Sequence, residues 1–220
     1  MRMTRFTPRS LAALALALGL SSSLAHATPA DDMERAIAQD NDLSTQKMLA
    51  NGVSPNTLTN KGVPVLYSAI QMESYKVAKV LAQAPGLEAD QTSPKGETAL
   101  MMAAFRGQVD LARQLIARGA QVNRRGWTPL HYAATNGHLA MIDFLLSQKA
   151  DLNAPSPNES TPLMMAAMYG SEDAARALLK AGADPTRKNQ LGMTAADFAT
   201  KAERDALART LTEAAQAWRR

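Results

Sequence analysis

A seven-residue phrase recurs along this chain at nearly fixed spacing, and no other feature constrains the fold as strongly. Its fullest version is Thr128-Pro129-Leu130-His131-Tyr132-Ala133-Ala134, followed by Asn136-Gly137-His138-Leu139. Related versions are Val63-Pro64-Val65-Leu66-Tyr67-Ser68-Ala69, Thr98-Ala99-Leu100-Met101-Met102-Ala103-Ala104, Thr161-Pro162-Leu163-Met164-Met165-Ala166-Ala167 and Thr194-Ala195-Ala196-Asp197-Phe198-Ala199. Counted from positions 63, 98, 128, 161 and 194, the steps are 35, 30, 33 and 33 residues. A period in this range means one small helical unit per repeat, and such a unit cannot bury its apolar face alone. The chain must therefore stack its units rather than wrap them around one central core.

A second phrase keeps the same register: Gly52-Val53-Ser54-Pro55-Asn56, Gly86-Leu87-Glu88-Ala89-Asp90, Gly119-Ala120-Gln121-Val122-Asn123, Lys149-Ala150-Asp151-Leu152-Asn153 and Gly182-Ala183-Asp184-Pro185-Thr186. In three repeats the threonine and the end of this turn lie 25 residues apart; from 63 to 90 the interval is 27, with the excess near Ala84-Pro85, where proline ends a helix. Counted from Asp32 to Asn56, the first unit is 24 residues long and the least regular. On these two motifs the chain resembles the ankyrin-repeat family. The resemblance implies an all-α solenoid of helix-turn-helix units with short hairpin fingers. The expected organisation is a leader over 1–27, an N-terminal capping repeat over 28–62, four repeats over 63–97, 98–127, 128–160 and 161–193, and C-terminal capping helices over 194–220.

Each repeat explains itself residue by residue. Thr128 suits a helix cap, and Pro129 the first helical position, where its missing N–H costs nothing. The family resemblance adds that the Thr128 hydroxyl and His131 imidazole brace each other. Leu130, Ala133 and Ala134 offer a narrow apolar face, and Gly137 permits a left-handed end to the first helix. Leu139, Ile142, Leu145 and Leu146 are expected to form the apolar face of the second helix. Lys149 stands where a glycine normally ends that helix, at a cost of about 1 kcal/mol if its backbone is left-handed. Beyond Thr194 the pattern decays into a polar helix bearing Leu207, Leu211 and Ala214 or Ala215.

The first residues have another character. Arg2, Arg5 and Arg9 precede an apolar run from Leu11 to Leu20, which ends in Ala25-His26-Ala27. This is the pattern of a secretory leader cleaved before Thr28, short for a membrane span; a buried apolar helix or an uncleaved anchor is the alternative. No arginine pair is present in this leader, which favours the general secretory route and a periplasmic address. Removing the three leader arginines from 24 basic residues leaves 21 against 20 acidic ones, a net charge of +1. The basic footprint of a nucleic-acid binder is then missing, and no membrane attachment is expected after cleavage. With no cysteine, an exported chain must hold together by packing alone.

Catalytic chemistry finds little here. Cleavage leaves only His131 and His138, both at positions where ankyrin repeats carry histidine. No nucleophile elbow and no phosphate loop is present, so neither an enzyme nor a cofactor is expected. Two histidines without a thiol do not make a zinc site. Met101, Met102, Met164, Met165 and Met168 fall on first helices, where they are core fillers or, on another reading, soft ligands for Cu(I) or a sink for oxidants.

The family resemblance places partner contacts on the fingers and the inner face of the first helices, at the residue before the conserved threonine and those seven and eight after it. Here these are Trp127, Phe105 with Arg106, Thr135 with Asn136, and Met168 with Tyr169. The expected groove is Phe105, Trp127 and Tyr169, rimmed by Arg106, Arg124 and Arg125; packing of Trp127 and Phe105 on adjacent repeats is the other reading. Only Arg124-Arg125-Gly126-Trp127 separates Asn123 from Thr128, whereas Ala154 to Ser160 supply seven residues one repeat later. This short finger should leave a notch floored by two arginines and a tryptophan, open to an acidic projection. The resulting expectation is a monomeric, non-enzymatic protein-binding module of the bacterial periplasm. The resemblance suggests an accessory factor for a periplasmic catalase in oxidative-stress defence, or an immunity protein against a toxic effector.

Overall fold

A computed structural model describes residues 27–218. The leader expected over 1–27 lies, but for Ala27, outside these residues. The described chain forms twelve helices in six pairs: α1 (Pro29–Ala38) with α2 (Asp42–Ala50), α3 (Val65–Gln71) with α4 (Tyr75–Gln83), α5 (Ala99–Phe105) with α6 (Val109–Ala117), α7 (Pro129–Asn136) with α8 (Leu139–Ser147), α9 (Pro162–Met168) with α10 (Glu172–Lys180), and α11 (Ala195–Lys201) with α12 (Asp205–Trp218). Among the described residues there is no strand, only isolated antiparallel bridges at Leu58–Pro64 and Thr92–Thr98 that close two of the fingers. The architecture is the all-α repeat solenoid that the sequence implied.

Each first helix packs against those before and after it, and the second helices from α2 to α10 make a parallel row. The first-helix row is closely packed because its contact face is small. Ala103 with Ala104, Ala133 with Ala134 and Ala166 with Ala167 are all fully buried, each group backed by Leu100, Leu130 or Leu163. An alanine face lets helix axes approach, so the tight seam follows from composition.

The caps explain where each first helix begins. Thr98 and Thr161 hydroxyls accept the amides of Met101 and Met164, both at 3.3 Å, and Thr194 accepts that of Asp197 at 3.4 Å. In the second unit the cap is Pro64, which has no side-chain acceptor, and not Val63 as the sequence alignment had it. The deciding contacts are apolar: Leu66, Ala69 and Ile70 are buried as Leu130, Ala133 and Ala134 are, one residue later than the aligned prolines suggested. In the first unit the helix starts at Pro29, behind a Thr28 cap whose amide donates to Asp31 Oδ2 at 2.8 Å.

Helix ends follow the backbone rules. Gly137 ends α7 in the left-handed region at φ 70°, and Lys149 takes φ 62° beyond α8, the strained departure expected there. Ala84, held extended before Pro85, ends α4. The face of α8 differs from expectation. It buries Met141, Ile142, Phe144 and Leu145, whereas Leu139 is 40% exposed and Leu146 only packs at the edge. Leu207 and Leu211 are the buried residues of α12.

Candidate functional site

His131 sits at the centre of the first-helix face and is fully buried. Its Nδ1 lies 3.2 Å from the Thr128 amide and 2.8 Å from the Thr128 hydroxyl, and its Nε2 lies 3.0 Å from the Ser160 carbonyl. A backbone amide can only donate, so Nδ1 is the acceptor and Nε2 carries the proton given to Ser160. Burial pushes the imidazole down to about 4, against the opposing pull of carbonyl partners. A neutral imidazole with both nitrogens occupied braces one repeat against the next and has no capacity left for proton transfer.

Methionine takes the same position in the neighbouring repeats. The sulfurs of Met101 and Met164 accept the amides of Thr98 and Thr161, both at 3.4 Å, and both side chains are buried, as are Met102 and Met165. These side chains act as caps and packing, with the two bonded sulfurs already in use. Met168 is half-buried.

The three aromatic residues singled out from the sequence do come together. Phe105, Trp127 and Tyr169 line one depression of about 210 Å³ with His131, Tyr132, Thr135 and Met165. Trp127 stands edge-on to His131 at 5.2 Å and to Tyr132 at 6.4 Å, and Phe105 edge-on to Tyr132 at 6.3 Å. Trp127 therefore packs on its neighbours and still leaves 37% of its surface open, while Tyr169 is 60% exposed. Tyr132 and Met165 were missed by sequence reasoning, although both stand four residues after a capping threonine, on the same helix face.

The expected rim is different. Arg106 is held by the preceding repeat, through Glu73 Oε1 and the Gln71 carbonyl, both at 2.7 Å, with its guanidinium 5.9 Å from the Phe105 ring. Arg124, Arg125 and Met168 do not line the depression. Trp127 takes the groove, whereas Arg125, two residues earlier and across the left-handed Gly126 at φ 84°, lines a separate cleft between fingers. Asn136 donates to the Phe105 carbonyl at 2.7 Å, and the Thr135 hydroxyl to the His131 carbonyl at 2.8 Å.

Beside the groove, the Glu97 carboxylate accepts two phenols: Tyr67 at 2.6 Å and Tyr132 at 2.9 Å. Burial, then the adjacent carboxylate, pushes both phenols above their ordinary range. They stay protonated and donating at any ordinary pH, which fixes the Tyr132 ring that walls the depression.

Among the described residues, no group of three or more His, Asp or Glu is placed to hold a metal ion, and no helix is long and apolar enough to cross a membrane. The model of the family "Ankyrin repeats (3 copies)" matches residues 83–156 and 149–219. The Ankyrin repeat and SAM domain-containing protein 6 of Rattus norvegicus is 28% identical over 125 residues, covering 55% of this chain and 14% of that protein. The tyrosine-protein kinase Shark of Drosophila melanogaster is 30% identical over 164 residues, 72% of this chain and 18% of the kinase. An ankyrin repeat-containing protein of Treponema pallidum (strain Nichols) is 33% identical over 118 residues, 52% of this chain and 40% of its own length. The chain thus spans less than half of each of these three relatives, and what it shares with them is the repeat array. With the family match running over most of the chain and helix pairs stacked at the family's period, the chain belongs to the ankyrin-repeat family, whose members generally serve as non-enzymatic modules that bind other proteins.

Proposed function

We propose that this chain is an exported protein-recognition module of the bacterial periplasm that receives an apolar side chain of its partner in the Phe105, Trp127 and Tyr169 groove. The observation that carries the reading is the groove itself: Phe105 and Trp127 from one repeat and Tyr169 from another, walled by a fixed Tyr132 of the repeat between them. Partly open Trp and Tyr at the middle of a rigid face are the residue types that dominate interface energies. At about 210 Å³ the depression is smaller than the roughly 300–1,000 Å³ usual for small-molecule pockets, which favours a side chain on a protein over a free ligand. The leader pattern supports export, and the bacterial relative supports the setting. The partner we put first is a periplasmic catalase, with the chain acting as its accessory factor in peroxide defence.

The test uses immobilised protein and purified periplasmic catalase. Wild type should retain the enzyme without lowering its turnover, and the triple variant Phe105→Ala, Trp127→Ala, Tyr169→Ala should release it. Equal retention by both proteins rejects the groove, and no retention by either rejects the catalase assignment. Inhibition of a toxic effector encoded beside the gene would instead favour the immunity reading.

A further inference from the structure

The fingers hold a second site, built by a deletion and a strained residue. The other four fingers close their turns with a backbone bond across five residues: Thr59 to Val63 at 2.8 Å, Ser93 to Glu97 at 2.8 Å, Ser156 to Ser160 at 3.0 Å and Asn189 to Met193 at 3.0 Å. The short Arg124-Arg125-Gly126-Trp127 finger makes no such bond among the described contacts. Beside it opens a cleft of about 770 Å³, with Arg125 on one wall, Pro155, Pro157 and Glu159 of the next finger at its centre, and Arg187 and Lys188 of the following finger on the far wall. Trp127, expected at its floor, lines the aromatic groove instead, and the two sites have no lining residue in common. The far wall is held in place: the Gln190 amide donates to the Asn158 carbonyl and its side chain to the Pro157 carbonyl, both at 3.1 Å.

The chemistry is mostly unsatisfied positive charge. Among the described residues Arg125 and Lys188 form no ion pair, and Arg187 meets Asp184 only through Nε at 3.9 Å. Set against Glu159, the three cations leave two net positive charges. Neutral groups nearby are already used, Asn153 Oδ1 by the Asp184 amide at 2.8 Å and the Ser156 hydroxyl by Asn158 at 2.6 Å. Glu159 is the unusual member. It occupies φ 63°, and the equivalent residue of the other fingers is glycine, at Gly62, Gly96, Gly126 and Gly192. Glu159 thus keeps a left-handed backbone that the matching fingers give to glycine, as Lys149 does beyond α8.

We propose that this cleft takes an acidic, extended segment of a protein, a recognition site separate from the aromatic groove. Carboxylates of the segment meet Arg125 on one wall and Arg187 with Lys188 on the other, and Glu159 accepts a backbone N–H of the bound chain. Pro155 and Pro157 give its carbon atoms an apolar wall. A peptide fits better than a nucleic acid because only the peptide alternates acidic side chains with backbone donors; a phosphate backbone would meet Glu159 with like charge.

The probe is fluorescein-labelled hexaglutamate, followed by anisotropy on the folded protein, with labelled hexathymidylate as the polyanion comparison. Saturable binding of hexaglutamate is expected, weakening as salt rises and exceeding that of hexathymidylate. Reversal of charge in Arg125→Glu with Lys188→Glu should weaken it about tenfold or more, whereas Arg125→Lys with Lys188→Arg should retain it. Both positions are exposed, so circular dichroism and melting of the reversal variant should match wild type. Trp127→Ala with Tyr169→Ala should leave hexaglutamate binding intact, which separates this site from the groove. Absence of saturable binding, binding indifferent to charge reversal, or equal affinity for hexathymidylate would overturn the assignment.

Discussion

A neutral histidine locked between two repeats ties the stability of the stack to pH. The ordinary imidazole value is 6.5, and burial lowers that of His131 to about 4. Because the folded-state value is depressed, the unfolded chain takes up the proton first, and acid favours unfolding. The contribution is intact above the unfolded value and is lost progressively as pH falls from 6.5 through 4. The gap between the two values corresponds to roughly 3 kcal/mol, of which about 2 kcal/mol is lost between pH 7 and pH 5. The caps hold the Asp31 and Asp197 carboxyls below their ordinary value of 3.8, chiefly through the Thr28 and Thr194 amides, so their contribution fades only at lower pH. The chain supplies its own control, since Met101 and Met164 fill the same site without a titrating group. His131→Met should cost about 1 kcal/mol at pH 7 for the lost bond to Ser160. Urea midpoints measured at both pH values should fall by about 1 M for wild type on acidification, with a slope of roughly 2 kcal/mol per molar, and by much less for the variant. Equal losses in the two proteins would show that the buried imidazole is not the source.

Other consequences follow from single contacts. Glu97→Ala strands the Tyr67 and Tyr132 hydroxyls, which donate at 2.6 and 2.9 Å, and should cost about 2 kcal/mol in urea unfolding at neutral pH. Lys149→Gly relieves the φ of 62° while keeping the carbonyl that Asn123 bonds at 2.8 Å; it should raise stability by about 0.5–1 kcal/mol, read as a higher melting temperature. Brief peroxide treatment followed by peptide mass spectrometry should find Met72, 58% exposed, oxidised well before Met101 or Met164, each 1% exposed.

The repeat unit was legible because its signals are local. A capping threonine, an alanine face and a left-handed glycine act within one helix pair, and each kept its role in the structure. Register failed by one residue at Val63-Pro64, where proline fits both the cap and the first helical position and only the burial of Leu66, Ala69 and Ile70 decides. Leu139 was assigned to the core on spacing, but burial of Met141 and Phe144 turned the face of α8 away from it. The aromatic groove was legible because its three members occupy family contact positions. The rim was not, since the side to which Arg125 turns is set by the left-handed Gly126 in a finger without a closed turn. Arg187 and Lys188 escaped notice because their nearness to Arg125 comes from unequal finger lengths. Glu97 and its two tyrosines escaped because their bonds run between repeats and do not show when one repeat is laid over another.

Most bonds between repeats join adjacent units, as when the Asn56 side chain donates to the Gly86 carbonyl at 2.8 Å or the Asp184 amide to Asn153 at 2.8 Å. A stack joined only in this way can peel from either end, one unit at a time. Glu97 departs from that pattern by gripping Tyr67, 30 residues behind it, and Tyr132, 35 residues ahead. Opening either the second or the fourth unit strands a charge or a phenol in the other, with the third held between them. The second to fourth units should therefore share one slow amide-exchange rate while the outer pairs exchange faster, and the groove wall at Tyr132 sits inside the block that opens last.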